Sequence, residues 1–269
     1  MTETMTDLRW ALADGWTVAR RNLTHVRYMP EKLMDVTLQP ILFVLLFTYV
    51  FGSAIHVPGV SYKDFLMAGI FAQTLTFTCA GTAISMADDM SKGVVDRFRS
   101  LPIARSAVLV GRTSADLVTG LIGLALLVTT ATLIGWRVHD GIPSALAGLA
   151  LLMLFGYAMN WLGTLVGLTV RDPESAQQVM FLVAFPLSFI SSAFVPPDGM
   201  PPVLRAFAQW NPLSAVVGAL RDLFGNGPVP TTGPWPVTHP VAAALLWSFA
   251  ILAVCLPLAV HRYRSAVSR

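Results

Sequence analysis

Apolar residues gather in six long runs along this chain, roughly Val36–Ile55, Phe65–Ala87, Ala107–Ile134, Ala145–Val170, Ala176–Val195 and Val241–Val260. A helix needs about 20 mostly apolar residues to cross the hydrocarbon core of a bilayer, and with some tilt every run is long enough. None alternates with period two. Backbone groups in lipid are satisfied only within a helix or a closed barrel, so these runs predict helices. The expected fold is an all-α integral membrane protein with six transmembrane helices.

The polar intervals predict further elements. Ahead of the first run, Leu8, Leu12, Trp16, Ala19, Leu23 and Val26 recur at helical spacing, with Arg9, Arg20 and Arg27 on an adjoining stripe. That pattern predicts an N-terminal amphipathic helix in the inner interface, its arginines toward anionic headgroups. A solvated leader helix is the other reading. Between the second and third runs, Met90, Val94, Phe98 and Leu101 form one helical face, and Pro102 closes the helix because the residue before proline disfavours the α region. Asp89, Lys92, Asp96 and Arg99 lie off that face. Phe98 among charges of both signs suits docking to a protein better than a lipid-bound connector, which favours cations alone. Residues 196–240 are rich in Pro and Gly and hold two short helices, Val203–Trp210 and Leu213–Phe224, broken at Asn211-Pro212. The chain therefore divides into an amphipathic segment (1–35), a six-helix domain (36–260, with the helical connector at 88–104 and the extracellular segment at 196–240) and a tail (261–269).

Composition sharpens this picture. Only 12% of the 269 residues are charged, against about a quarter in soluble domains, which excludes a soluble core. Lys and Arg set the orientation. The N-terminus carries Arg9, Arg20, Arg21, Arg27 and Lys32, the 88–112 stretch Lys92, Arg97, Arg99, Arg105 and Arg112, and the same side also holds Arg171, Arg262, Arg264 and Arg269. The opposite side has Lys63, Arg137, Arg205 and Arg221. Both termini and the 88–104 helix are thus expected in the cytoplasm. No signal-peptide pattern precedes the first run, which is expected to act as its own insertion signal. The net charge of +3 is spread along the chain and does not suggest nucleic-acid binding. Cys79 and Cys255 sit in apolar runs at no ligand spacing and read as packing residues.

Candidate chemistry is sparse. There is no phosphate loop, no H-E-x-x-H and no G-x-S-x-G. Asp88, Asp89 and Asp96 offer carboxylates of the kind that hold Mg²⁺ and a diphosphate, but Lys92, Arg97 and Arg99 interleave with them and no second acidic cluster completes such a site. An ion-coupled carrier would bury ionisable residues at mid-membrane, and none is read near the centre of any run. Gln39, Phe43, Phe47 and Phe51 recur every four residues in the first run, as do Phe181, Phe185 and Phe189 in the fifth. Such stripes are either packing and lipid-facing rings or the walls of a greasy pathway. Pro186 removes a backbone hydrogen bond in the fifth run, with Ser188, Ser191 and Ser192 as candidate partners for the freed group. Gly156, Asn160, Gly163 and Gly167 share a face of the fourth run and predict close helix packing, with Asn160 hydrogen-bonded across it. Arg112 and Asp116, spaced i, i+4, read as a pair at the cytoplasmic entry of the third run.

Four stretches together resemble the membrane subunit of type-2 ABC exporters, in the daunorubicin-resistance permease branch: MPEKLMDVTLQPILFVLLFTYVFG (Met29–Gly52), KGVVDRFRSLPI (Lys92–Ile103), FPLSFISSAFVPPDGMP (Phe185–Pro201) and WNPLSAVV (Trp210–Val217). Order and spacing are kept over nearly the whole chain. The resemblance implies a dimeric six-span permease, not itself an enzyme, driven by a separate ATP-binding subunit that holds ATP and Mg, with no cofactor on this chain. It makes the 88–104 helix the coupling helix, with contact to the ATPase through Lys92, Gly93, Asp96, Arg97, Phe98 and Arg99. The N-terminal helix corresponds to the connecting helix and the short outer helices to the extracellular gate. Family dimers meet through spans one and five, so Phe43, Phe47, Phe51, Phe181, Phe185 and Phe189 are implied to line the dimer seam and substrate pathway. The implied partners are the ATPase, a second copy of this chain, membrane lipids and a hydrophobic or amphipathic drug, in a bacterial cytoplasmic membrane. The same machinery exporting a lipid or glycopolymer is the alternative.

Overall fold

The computed structural model describes residues 41–51, 60–92, 105–227 and 230–267. The expected N-terminal amphipathic helix, and Gly93, Asp96, Arg97, Phe98 and Arg99 of the expected coupling helix, lie outside the described residues. The described chain is helical, and no strand occurs among those residues.

The first apolar helix, α1 (Ile41–Val50), turns π-helical over Leu46–Phe51. Next come α2 (Tyr62–Ser91), α3 (Arg105–Leu133), α4 (Gly141–Gly167) and α5 (Pro173–Phe189). The segment after α5 contains a 3-10 turn (Pro197–Gly199), α6 (Pro202–Trp210), α7 (Pro212–Leu223) and α8 (Trp235–Thr238), followed by α9 (Pro240–Val267). Among the described residues, α2, α4 and most of α9 are long and apolar enough to cross a bilayer, while Ile41–Val50 and the Thr119–Leu133 part of α3 are shorter apolar stretches.

α2 is the central post, packed against α4, α5, α7 and α3. Its small residues Ala68, Gly69, Ala72, Cys79, Ala83 and Ala87 allow neighbours close. α4 answers with glycines: a Cβ at Gly163 would collide with the Cys79 carbonyl, and one at Gly167 would lie 2.5 Å from the Ala83 carbonyl. Without tail-versus-water discrimination to drive helices together, such backbone contact supplies dispersion that larger side chains would prevent. α9 lies across α4 through Trp161, Cys255, Ala259 and Tyr263. Both cysteines are free and buried.

Four expectations shift. The helix of the fifth run stops at Phe189, short of Val195, because Pro186 and the capping contacts described below end it and the chain turns inward. α2 runs to Ser91, so Met90 belongs to the long helix, and Lys92 caps it with an exposed ion pair to Asp88 at 2.7 Å. α3 begins at Arg105, two residues ahead of the third apolar run. α9 continues through Val267, making helix of most of the expected tail.

The end of α7 is locked to the loop after α3. Gly225 adopts φ +66°, and His139 N donates to Phe224 O at 2.8 Å. The buried Asn226 amide, turned to satisfy its neighbours, accepts from Trp136 Nε1 (2.6 Å) and donates to Arg137 O (3.1 Å). Trp136, Phe71 and Phe224 meet edge to face above it.

Candidate functional site

The two phenylalanine stripes meet within one chain. On α1, Phe43 and Phe47 stack at 5.6 Å between centroids, and on α5, Phe181, Phe185 and Phe189 stack at 5.1 and 4.3 Å. Phe194, on the segment after α5, joins them, lying 4.7 Å from Phe47 and 5.7 Å from Phe189. Six rings thus form one continuous file. Phe194 is 6% exposed, whereas Phe181, Phe185 and Phe189 are 57%, 41% and 43% exposed, so the file runs from a buried joint to an open aromatic face. The Phe51 side chain falls outside the described part. The π-helical turn beginning at Leu46 flanks Phe47, and such turns are frequent at functional sites.

What holds Phe194 in place is a partly buried cation. Arg221 on α7 donates from Nε to Phe65 O (3.0 Å) and from Nη2 to Ser192 O (2.8 Å) and Ala193 O (3.2 Å). Its guanidinium carbon lies 3.4 Å above the Phe65 ring, a cation–π geometry strengthened by desolvation. Burial pushes the Arg221 pKa down to about 9, and the neighbouring Tyr62 partly offsets this. Tyr62 Oη also donates to Phe194 O at 3.4 Å. Gly69 is needed here, since a Cβ would collide with the Ala193 carbonyl.

A second knot ends α5. Asn211 caps α7 by accepting from Leu213 N (2.8 Å), while its Nδ2 donates to Leu187 O (2.8 Å) and Ile190 O (2.7 Å). Those carbonyls belong to the last turn of α5, where orphan acceptors collect. The serines do not serve the Pro186 gap as expected. Ser191 Oγ donates to Ser188 O (2.6 Å), and Ser214 Oγ accepts from Ser192 N (2.9 Å). The buried Ser188 hydroxyl has no hydrogen-bond partner among the described residues. At the other end of α5, the exposed Asp172 carboxylate accepts from Ser175 N and Oγ, both at 2.8 Å. Those donors hold its pKa below the ordinary carboxylate value.

Residues 14–224 match the family described as ABC-2 type transporter. The chain belongs to that family. It is 32% identical over 270 residues to the daunorubicin resistance ABC transporter permease protein DrrB1 of Streptomyces coeruleorubidus, covering 96% of this chain and 93% of that relative. It is 26% identical to the probable doxorubicin resistance ABC transporter permease protein DrrC of Mycobacterium tuberculosis, over 84% and 79% of the two chains. The putative transport permease ycf38 of Porphyra purpurea is 25% identical, over 78% and 73%. As an ABC-2 family member with spanning apolar helices, the chain is an integral membrane protein.

Within this ABC-2 chain, Gly163 and Gly167 lie against α2, as above. Asn160 approaches Thr82 on α2, whose hydroxyl lies 3.4 Å from Asn160 Oδ1 and donates to Asp116 Oδ2 on α3 at 2.9 Å. Lys92 is the one expected ATPase-contact residue among those described, and its ammonium reaches Asp88. No group of three or more His, Cys, Asp or Glu able to hold a metal occurs among the described residues. Sequence reading missed Phe194, Arg221 as a structural cation, Asn211 as a double clamp, and the meeting of Asp116 with α2 and α4. A signal existed for Asn211 alone, since Asn before Pro opens a helix with a ready cap.

Proposed function

We propose that this chain is the membrane permease subunit of an ATP-driven ABC exporter that moves hydrophobic or amphipathic drugs out of a bacterial cell. ATP and Mg belong to a separate ATPase subunit, consistent with a sequence that has no phosphate loop. Family membership supports the transport role, and the names of the relatives support the drug class. The observation that carries the reading is the file of six rings with its exposed α5 face, since flat apolar rings give a planar amphiphile many weak, interchangeable contacts. Two copies are proposed to face each other across α1 and α5, with both termini in the cytoplasm.

In this mechanism the ATPase grips the 88–104 helix through Lys92, Gly93, Asp96, Arg97, Phe98 and Arg99. That segment follows α2, the central post, directly in sequence, so closure of the ATPase pair is proposed to move α2 and everything packed on it. The 190–195 segment, tied to α2 through Arg221, then carries Phe194 and opens the file outward.

The test is efflux of a fluorescent cationic aromatic drug from cells expressing the chain with its ATPase. Export that requires both subunits and ATP is the expected result. Unchanged drug retention with an altered surface lipid or glycopolymer would move the substrate assignment to that class.

A further inference from the structure

The short helix α6 turns its apolar side outward. After its opening proline, every exposed residue is apolar: Val203, Leu204, Ala206, Phe207 and Trp210. At 3.6 residues per turn these share one arc of about 160°. The opposite arc holds Arg205, Ala208 and Gln209, which are buried or half-buried. A surface helix in water keeps its apolar stripe toward the core and its polar residues outside, and α6 does the reverse. Val203 is 81% and Phe207 53% exposed. The Arg205 guanidinium folds back on the preceding turn, donating from Nε to Pro197 O (3.2 Å) and from Nη2 to Asp198 O and to Met200 O (3.2 Å), so the exposed arc carries no charge.

The place of α6 in the fold says which medium that arc meets. α6 packs on α8, and only His239 separates α8 from Pro240, the first residue of α9. From Pro240 onward α9 is long and apolar enough to cross a bilayer, and Leu246 and Phe249 are exposed within its first three turns. The start of a spanning helix lies at the membrane surface, which puts α8 and α6 there as well. Trp210 ends α6 and Trp235 opens α8, both about half exposed, and indole rings gather at that boundary because one part is apolar and the other donates a hydrogen bond. With nine residues, α6 is about 13 Å long. It is too short to cross and lies along the boundary.

We infer that α6 is an interfacial anchor, its Val203–Phe207–Trp210 face resting among phospholipids at the boundary between headgroups and acyl chains. Asn211 follows Trp210 directly, and its side chain grips Leu187 O and Ile190 O at the end of α5. A lipid-held α6 therefore fixes the height at which the phenylalanine stripe of α5 ends. The inference rests on the chain being an integral membrane protein and is independent of the exporter reading.

The test is spin labelling of the full chain in phosphatidylcholine nanodiscs. Val203→Cys, Phe207→Cys and Gln209→Cys forms each carry a nitroxide, and the unsubstituted chain is the blank for the buried Cys79 and Cys255. Oxygen, which concentrates among acyl chains, is expected to relax the labels at 203 and 207 several times more than a water-soluble nickel chelate does, and to reach 209 less than either. Nickel collisions exceeding those of oxygen at 203 and 207 would put the arc in water and overturn the inference. Exclusion of both reagents from those positions would put protein on the face, a second copy of this chain included, and overturn it equally. Phe207→Asp separates anchoring from proximity. At an exposed position in water the change costs little, whereas in lipid it should dislodge α6 and speed hydrogen exchange of Leu213 N–H, which donates to Asn211 Oδ1, severalfold. Exchange as slow as in the native chain would defeat the anchor. Neither readout involves ATP or a drug, so a failed anchor leaves the exporter reading standing, and absent efflux leaves the anchor standing.

Discussion

The ring of Phe194 stacks on that of Phe47 at 4.7 Å and 21°, tying the first apolar helix to the segment that follows α5. Through this one contact, two stripes far apart in sequence become a single file, and the position of Phe194 decides whether the file is continuous.

Phe194→Leu keeps an apolar side chain but breaks two ring pairs, each worth about 0.5–1.5 kcal/mol beyond buried area. Drug efflux is expected to fall severalfold while the thermal midpoint of the detergent-solubilised protein drops by only a few degrees. Phe194→Ala should lower both. Full efflux in the Leu form would remove the file from the pathway.

The glycines of α4 should not be equivalent. Gly163→Ala drives a methyl into the Cys79 carbonyl and forces α4 off α2, costing about 1–3 kcal/mol as overpacking does. Gly156→Ala meets the flexible Leu75 Cδ1 at 3.2 Å, and Gly81→Ala, a control on α2, meets nothing within 4 Å. Thermal stability should therefore fall for Gly163, less for Gly156 and not for Gly81. Equal effects at all three positions would contradict the close α2–α4 approach.

The helices and the small-residue face of α4 were legible in the sequence because both are local periodicities. Apolar length marked α2 and α4, and the Asn211-Pro212 break marked the junction of α6 and α7. The rest depended on contacts between distant segments. Phe194 follows Phe189 by five residues, out of phase with its stripe, and joins the file only because α5 ends early and the chain turns inward. Arg221 read as an outer positive charge, since nothing in its neighbourhood shows that carbonyls 192 and 193 and the Phe65 ring will surround it. The ATPase-contact residues Gly93 to Arg99 lie outside the described residues, and their role rests on the resemblance alone.

Arg221→Lys retains charge but not the planar fork that reaches the carbonyls of Phe65, Ser192 and Ala193 together. Leaving buried carbonyls unpaired costs about 1–3 kcal/mol. Thermal midpoints should rank the native chain above Lys and Lys above Gln, with efflux falling in the same order. A Gln form as stable and active as the native chain would show that the knot does not hold Phe194.

Asp172 gives a pH signature. Its folded pKa is lowered from 3.8 by the two Ser175 donors, so its capping contribution is complete above that ordinary value and disappears as pH falls through the lower folded one. Hydrogen-exchange protection of the Ser175 amide should hold at neutral pH and drop in that acid range. Asp172→Ala should lose it at every pH. Asp172→Asn should keep part of it with no acid transition.

The central claim, a permease that works through a separate ATPase gripping residues 92–99, is tested most directly by copurification. The tagged chain would be expressed with the candidate ATPase and extracted gently, beside an Arg97→Ala/Phe98→Ala form. The account predicts equal amounts of the two subunits, with the ATPase lost from the double variant while the membrane chain remains folded. A native chain that emerges without any ATPase, or a double variant that retains it in full, would contradict the account.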